Sequence, residues 1–210
     1  MQTGESARNA VSNALTKLKT EESEISKEKI KEMMQEARLM RELNHPNVVR
    51  IYGVALLEHP LYIILEYVPG GALDVYLRKN KQISQDDRLL MAMGAAWGME
   101  YLHMCNILHR DIAARNCLYD NDKIVKISDF GLSREGTTYR MKTAKRVPLK
   151  WMAPETMSNY TFTQKTDVYS YGIMGGQVNE FPKDTPPKLA IFVKQKLWDP
   201  NPETRFDMTS

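Results

Sequence analysis

The chain has 210 residues, the length of one ordinary domain or two very small ones. It is 42% hydrophobic and 26% charged, which argues against disorder and lets it fold without a disulfide or metal. Lysine plus arginine number 29 against 26 acidic residues, a net charge of +3, too balanced for the dense basic face of a nucleic-acid-binding protein. The longest apolar run, Leu89 to Met99, is half of the roughly 20 residues that a membrane-spanning helix needs. Cys105 and Cys117 have no metal-ligand spacing, so both are expected to be reduced, inert small hydrophobes. The N-terminus shows neither a signal-peptide core nor a glycine at position 2, and the expectation is a soluble cytoplasmic chain.

In chain order, residues 1–25 are weakly patterned. Residues 26–43 form a predicted helix, because Ile30, Met33, Met34, Ala37 and Met40 recur at helical spacing, with Ser26 as N-cap and Asn44-His45-Pro46 as the stop. The β-branched and aromatic runs 48–57 and 61–68, separated by Glu58-His59-Pro60, predict an antiparallel hairpin. Pro69-Gly70-Gly71 ends it, and a short helix starts at Leu73. Ser84-Gln85-Asp86-Asp87 has the form of a capping box and opens a long apolar helix to His103. A strand is predicted at 124–128, and from Pro148 onward the chain is richer in helix and proline. The order implies an α+β fold: a small β-rich lobe at about 26–68, followed by a mainly helical lobe at about 72–210.

The chemical centre is His109-Arg110-Asp111-Ile112-Ala113-Ala114-Arg115-Asn116, followed by a strand, then Asp129-Phe130-Gly131, and later Ala153-Pro154-Glu155. These motifs, in this order, are the signature set of protein kinases. The chain resembles a protein kinase catalytic domain, from about Ser26 to the C-terminus. Ala-Ala-Arg-Asn at 113–116 and Arg146 to Glu155 are similar to tyrosine kinases, since serine/threonine kinases usually carry lysine where Ala113 stands. SKEKIKEMMQEARLMR, HPNVV, LEYVPGGAL and AARNC together resemble the cytoplasmic Fes/Fer group.

The resemblance implies ATP and Mg²⁺ as cofactors and tyrosine-containing proteins as substrates. A tyrosine hydroxyl is a poor nucleophile near neutral pH, so Asp111 would accept its proton and aim its oxygen at the γ-phosphorus. Asn116 and Asp129 would offer hard oxygen ligands to Mg²⁺, and Arg115 would support base and phosphate. Glu36, in Gln-Glu-Ala at 35–37, stands at the position of the lysine-pairing glutamate. Leu65 would guard the back of the adenine pocket, Glu66 and Val68 would meet adenine through their backbones, and Leu118 would form its floor. His109 and Phe130 would pack beneath the site, with Ile51 and Met40 continuing the stack into the small lobe. Asp167 would brace the catalytic loop, and Arg205 would pair with Glu155. Tyr139 is a candidate autophosphorylation site, whose phosphate would pair with Arg110 and Lys145, order residues 132–147 and offer a docking point to phosphotyrosine-binding partners.

Several family features are missing. No Gly-x-Gly-x-x-Gly precedes Ser26, so the flap over the phosphates is absent. The nucleotide lysine is either shifted, to Lys17 or Lys19, or lost with Ala14 near its position. After Thr166 to Met174 the family continues with a Trp-Glu segment and a Pro-Tyr-Pro-Gly stretch, where this chain has residues 175–180. Two functions follow: an ATP-dependent tyrosine kinase, favoured by the catalytic loop, or a non-catalytic binding module, favoured by the missing flap and shortened helix.

Overall fold

The computed structural model describes residues 15–17, 27–55, 62–141, 149–175 and 187–209. Ala14, Lys19, Ser26, the 58–60 turn, Lys145 and residues 176–186 lie outside them.

Among the described residues the small lobe is one antiparallel sheet and one helix. Strands β1 (Leu15–Lys17), β2 (Ile51–Ala55) and β3 (Tyr62–Leu65) are ordered β1-β3-β2. The amphipathic helix α1 (Lys27–Arg41) lays Met33 against Ile63, with Ile30, Ile51, Val54 and Leu65 around them. Its lower end carries Met40 into the main core.

The first hairpin strand is shorter than the apolar run predicts. Val48 and Val49 are buried, but they leave the small-lobe sheet and dock on the other lobe. Val48 bridges Ile127 in parallel register, the Val49 amide donates to the Ile127 carbonyl at 2.9 Å, and the Ile127 amide donates to the Asn47 carbonyl at 2.8 Å. Burial drives both placements equally, so β-propensity cannot say which sheet a Val-Val pair joins.

The large lobe is built on α3 (Gln85–Met104), following the short α2 (Leu73–Lys79). Ser84 caps α3: its hydroxyl accepts from the Asp87 amide at 3.0 Å and donates to the Asp87 carboxylate at 2.9 Å. Met91, Ala95, Met99 and Leu102 form its core face. Two-stranded ladders follow: β4 (Ile107–Leu108) with β7 (Arg134–Glu135), β5 (Cys117–Tyr119) with β6 (Val125–Ile127), and β8 (Thr138–Arg140) with β9 (Thr161–Thr163). Strand β5 exists because Cys117 and Tyr119 are buried against the predicted strand β6. Helices α4 (Pro154–Asn159), α5 (Gln164–Gly175) and α6 (Pro187–Phe192), with a π-helical turn at Val193–Leu197, complete the lobe. Both cysteines are free: Cys105 is exposed just past the end of α3, and Cys117 is buried, which pushes its thiol up to about 12. Among the described residues no helix is long and apolar enough to cross a membrane.

Candidate active site

The loop from His109 to Asn116 connects β4 to β5 and is held from below by α5. Asp167, in the first turn of α5 and 1% exposed, accepts the His109 amide at 2.8 Å and the Arg110 amide at 2.9 Å, and lies 3.3 Å from His103 Nε2. Hydrogen bonds to two amides fix a carboxylate in a buried place, and they fix the loop backbone in return. Arg110 can then hold a φ of +70° and Asp129 one of +63°, conformations that non-glycine residues keep only where their surroundings determine them.

Asp111 sits at the crown of the loop. Arg115 forms an ion pair with one of its oxygens, and the Asn116 amide nitrogen donates to the other at 2.8 Å and to the Asp111 carbonyl at 2.8 Å. With that nitrogen committed, the Asn116 side-chain oxygen is left as a ligand atom. The Asn116 carbonyl accepts both the amide and the hydroxyl of Ser128, at 2.8 and 2.9 Å, which ties the residue before Asp129 to the catalytic loop. His109 donates from Nε2 to the Ser128 carbonyl at 3.0 Å and meets Phe130 edge-on with centroids 5.2 Å apart. Phe130 and Met40 belong to one core cluster, with Ile51 packed against it.

Asp129 is exposed beside this loop, and its carboxylate accepts from the Gly131 amide at 3.4 Å. Glu36 of α1 stands against the same segment. Burial and the nearby Asp129 charge raise its pKa above the ordinary glutamate value, offset in part by a hydrogen bond with the Phe130 backbone. Among side chains that are described, no lysine or arginine pairs with Glu36. Lys17 lies on β1, where its register partner is Tyr62, while Thr16 stands opposite Ile63.

Leu65 ends β3, and Glu66 and Val68 follow it in the connection between the lobes. The Glu66 amide donates to Arg50 at 2.8 Å, its carboxylate accepts from the Arg50 amide at 3.1 Å, and Lys126 pairs with it at 3.0 Å. Leu118 on β5 forms a bridge to Ala72, directly after the Pro69-Gly70-Gly71 bend. A side chain at Gly70 would stand 2.1 Å from the Tyr119 carbonyl, so this close approach requires glycine.

The contacts of two residues, Trp151 and Lys126, escaped sequence reasoning. The Trp151 ring lies 4.5 Å from the Arg115 guanidinium, and the Trp151 carbonyl accepts from Ser170 of α5 at 2.6 Å. Lys126 was read only as a strand residue, yet it closes on Glu66 across the lobes. None of these pairings has a local spacing signal, because the partners are far apart in sequence.

Further along the chain, Arg205 is 2% exposed and grips Glu155 with two bonds of 2.6 and 3.1 Å. Tyr139 on β8 packs its ring 4.2 Å from the Arg110 guanidinium. Burial, then the repulsion of Arg134, draws the Arg110 pKa down to about 10, leaving it cationic near neutral pH.

The donor set suits a hard cation: an exposed carboxylate, an amide oxygen and no thiolate or imidazole. In the sequence no glycine-rich loop precedes Ser26 to cradle a triphosphate.

Comparison with known proteins agrees with this geometry. The family described as protein tyrosine and serine/threonine kinase matches residues 4–190. The chain is 39% identical over 219 residues to Fer-related kinase 1 of Caenorhabditis elegans, covering 92% of this chain and 56% of that protein. It is 33% identical over 215 residues to tyrosine-protein kinase Fer of Mus musculus, covering 90% of this chain and 26% of that one. To tyrosine-protein kinase ABL2 of Homo sapiens it is 43% identical over 149 residues, covering 69% and 13%. The chain thus spans about half, or less, of the length of these curated relatives.

Proposed function

Because the chain belongs to the protein tyrosine and serine/threonine kinase family, we propose that it is the catalytic domain of a non-receptor protein-tyrosine kinase. Its substrates are tyrosine-containing proteins on the cytoplasmic side of the cell, and Tyr139 is its own regulatory phosphorylation site. The observation that carries the reading is the Asp111 carboxylate held between Arg115 and Asn116, with Asp129 beside it. Ala113 supports tyrosine over serine or threonine, and two of the named relatives, Fer and ABL2, are tyrosine-protein kinases.

Asp111 takes the proton of the incoming hydroxyl and aims its oxygen. Asn116 and Asp129 would hold Mg²⁺ through oxygen, and Glu66, Val68 and Leu118 would meet adenine, the first two through backbone groups. When bound, Mg²⁺-ATP supplies the phosphoryl group and the charge that neutralises its oxygens. Arg115 orients Asp111 and adds positive charge next to the acceptor.

Turnover is slow in this reading, because Glu36 faces Asp129 without a described basic partner and no flap donates to the phosphates. The same observations favour a second reading, a binding module that keeps the kinase shape and docks partners without transfer. Tyrosine phosphorylation of an acidic tyrosine polymer by purified chain separates the two, with Asp111→Asn as control. A signal abolished by Asp111→Asn establishes the kinase. Equal signal from both proteins leaves the binding module. Losing one positioned electrostatic contact lowers rates by about 10²–10³-fold, so the expected rate is low but above the control.

A further inference from the structure

The Arg110 side chain has an unusual environment for a cation. It is 6% exposed, and its Nε is buried without a hydrogen-bond partner. One terminal nitrogen donates to the Leu132 carbonyl at 2.8 Å, and among the described residues the other reaches only the Met141 sulfur at 4.0 Å. Desolvating a guanidinium on so few hydrogen bonds is unfavourable unless something else stabilises the charge. Two aromatic rings do, together with the Asp167 carboxylate: Tyr139 and Phe162 each place their centroid 4.2 Å from the Arg110 guanidinium carbon.

The backbone explains why the rings converge. Tyr139 and Phe162 are direct partners in the β8–β9 ladder, so they rise from the same face, with centroids 6.5 Å apart. Arg110 occupies the cleft between them. Arg134, on β7, lies a further 5.5 Å from the Tyr139 ring. Leu108, Met152 and Met141 enclose the cluster in apolar surface, where a cation–π contact is strengthened.

We propose that the Tyr139 ring is a positioning residue in its own right: with Phe162 it clamps Arg110 and docks residues 134–141 onto the catalytic loop without any phosphate. The proposal rests on the reading of Arg110 as part of that loop, but its test reads backbone protection and not turnover. It replaces, for this stretch, the expectation that a phosphate on Tyr139 does the ordering. The hydroxyl is dispensable to the clamp and the π face is not.

Amide hydrogen exchange on phosphatase-treated full chain tests this in peptides covering 134–141, with α3 peptides as a check on the global fold. Tyr139→Phe keeps the ring and should exchange like the unsubstituted chain. Tyr139→Leu keeps apolar bulk without a π face and should exchange about tenfold faster there, with α3 unchanged. Phe162→Leu should reproduce the effect from the other strand. Tyr139→Phe exchanging as fast as Tyr139→Leu would overturn the proposal, because the hydroxyl would then hold the segment. So would Tyr139→Leu exchanging as slowly as the unsubstituted chain.

Discussion

Glu36 and Asp129 place two carboxylates on either side of Phe130 and Gly131, in a cleft where burial already disfavours charge. A carboxylate whose folded pKa is raised contributes stability that is present below its unfolded value and lost as pH rises through its folded value. In metal-free buffer the chain should therefore lose part of its stability as pH climbs above the usual glutamate range. Glu36→Gln should flatten that dependence and raise stability at neutral pH, read as denaturation midpoints from pH 4 to pH 8. A midpoint profile unchanged by the substitution would mean that Glu36 is solvated and not pressed on Asp129. The sequence identified Glu36, Asp111, Asn116 and Asp129 by motif alone. It was silent on Trp151 over Arg115 and on Lys126 with Glu66, because both depend on where distant segments meet in space.

Helix α3 shows the same division at the scale of an element. Its start was legible, since Ser84 and Asp87 cap it through the expected reciprocal bonds. Its glycines were not, because Gly94 and Gly98 read as weak points in a helix interior. A Cβ at Gly98 would stand 2.5 Å from the Asn47 carbonyl, and one at Gly94 would stand 3.1 Å from the Asn47 side chain. The Asn47 carbonyl also accepts the Ile127 amide, and its side chain donates to the Val125 carbonyl at 2.8 Å. These glycines let the segment joining the lobes lie directly on α3. Gly98→Ala should destabilise by roughly 1–3 kcal/mol through overpacking. That exceeds the helix-propensity gain of about 1 kcal/mol. Urea denaturation measures it, and a more stable Gly98→Ala chain would show that the helix and the 47–49 segment are not in contact.

Across the whole molecule, α5 is the member on which the functional parts converge. Asp167 holds the catalytic loop, Ser170 holds Trp151, and Lys165 exchanges hydrogen bonds with Arg205, donating to its carbonyl at 2.6 Å and accepting from its guanidinium at 2.9 Å. Arg205 in turn grips Glu155, at the start of α4. Removing one partner of a buried ion pair leaves an uncompensated charge, so Arg205→Ala should cost about 3–5 kcal/mol in chemical denaturation. Glu155→Gln, which keeps the shape and one acceptor, should cost less. Equal, negligible losses for both would mean that the pair is solvated and that the end of the large lobe is held by its apolar contacts.

Motif order and apolar periodicity alone determined that this chain has two lobes, a long capped helix and a kinase-type catalytic loop. Those signals are local, and a few residue types at fixed spacing suffice to write them. Tertiary structure decided that Val48 and Val49 join the large lobe instead of lengthening a hairpin. It also decided that the Arg110 charge is met by two rings. A buried valine or a desolvated guanidinium accepts any partner of suitable chemistry, and only the packing of segments far apart in the chain selects which one is there.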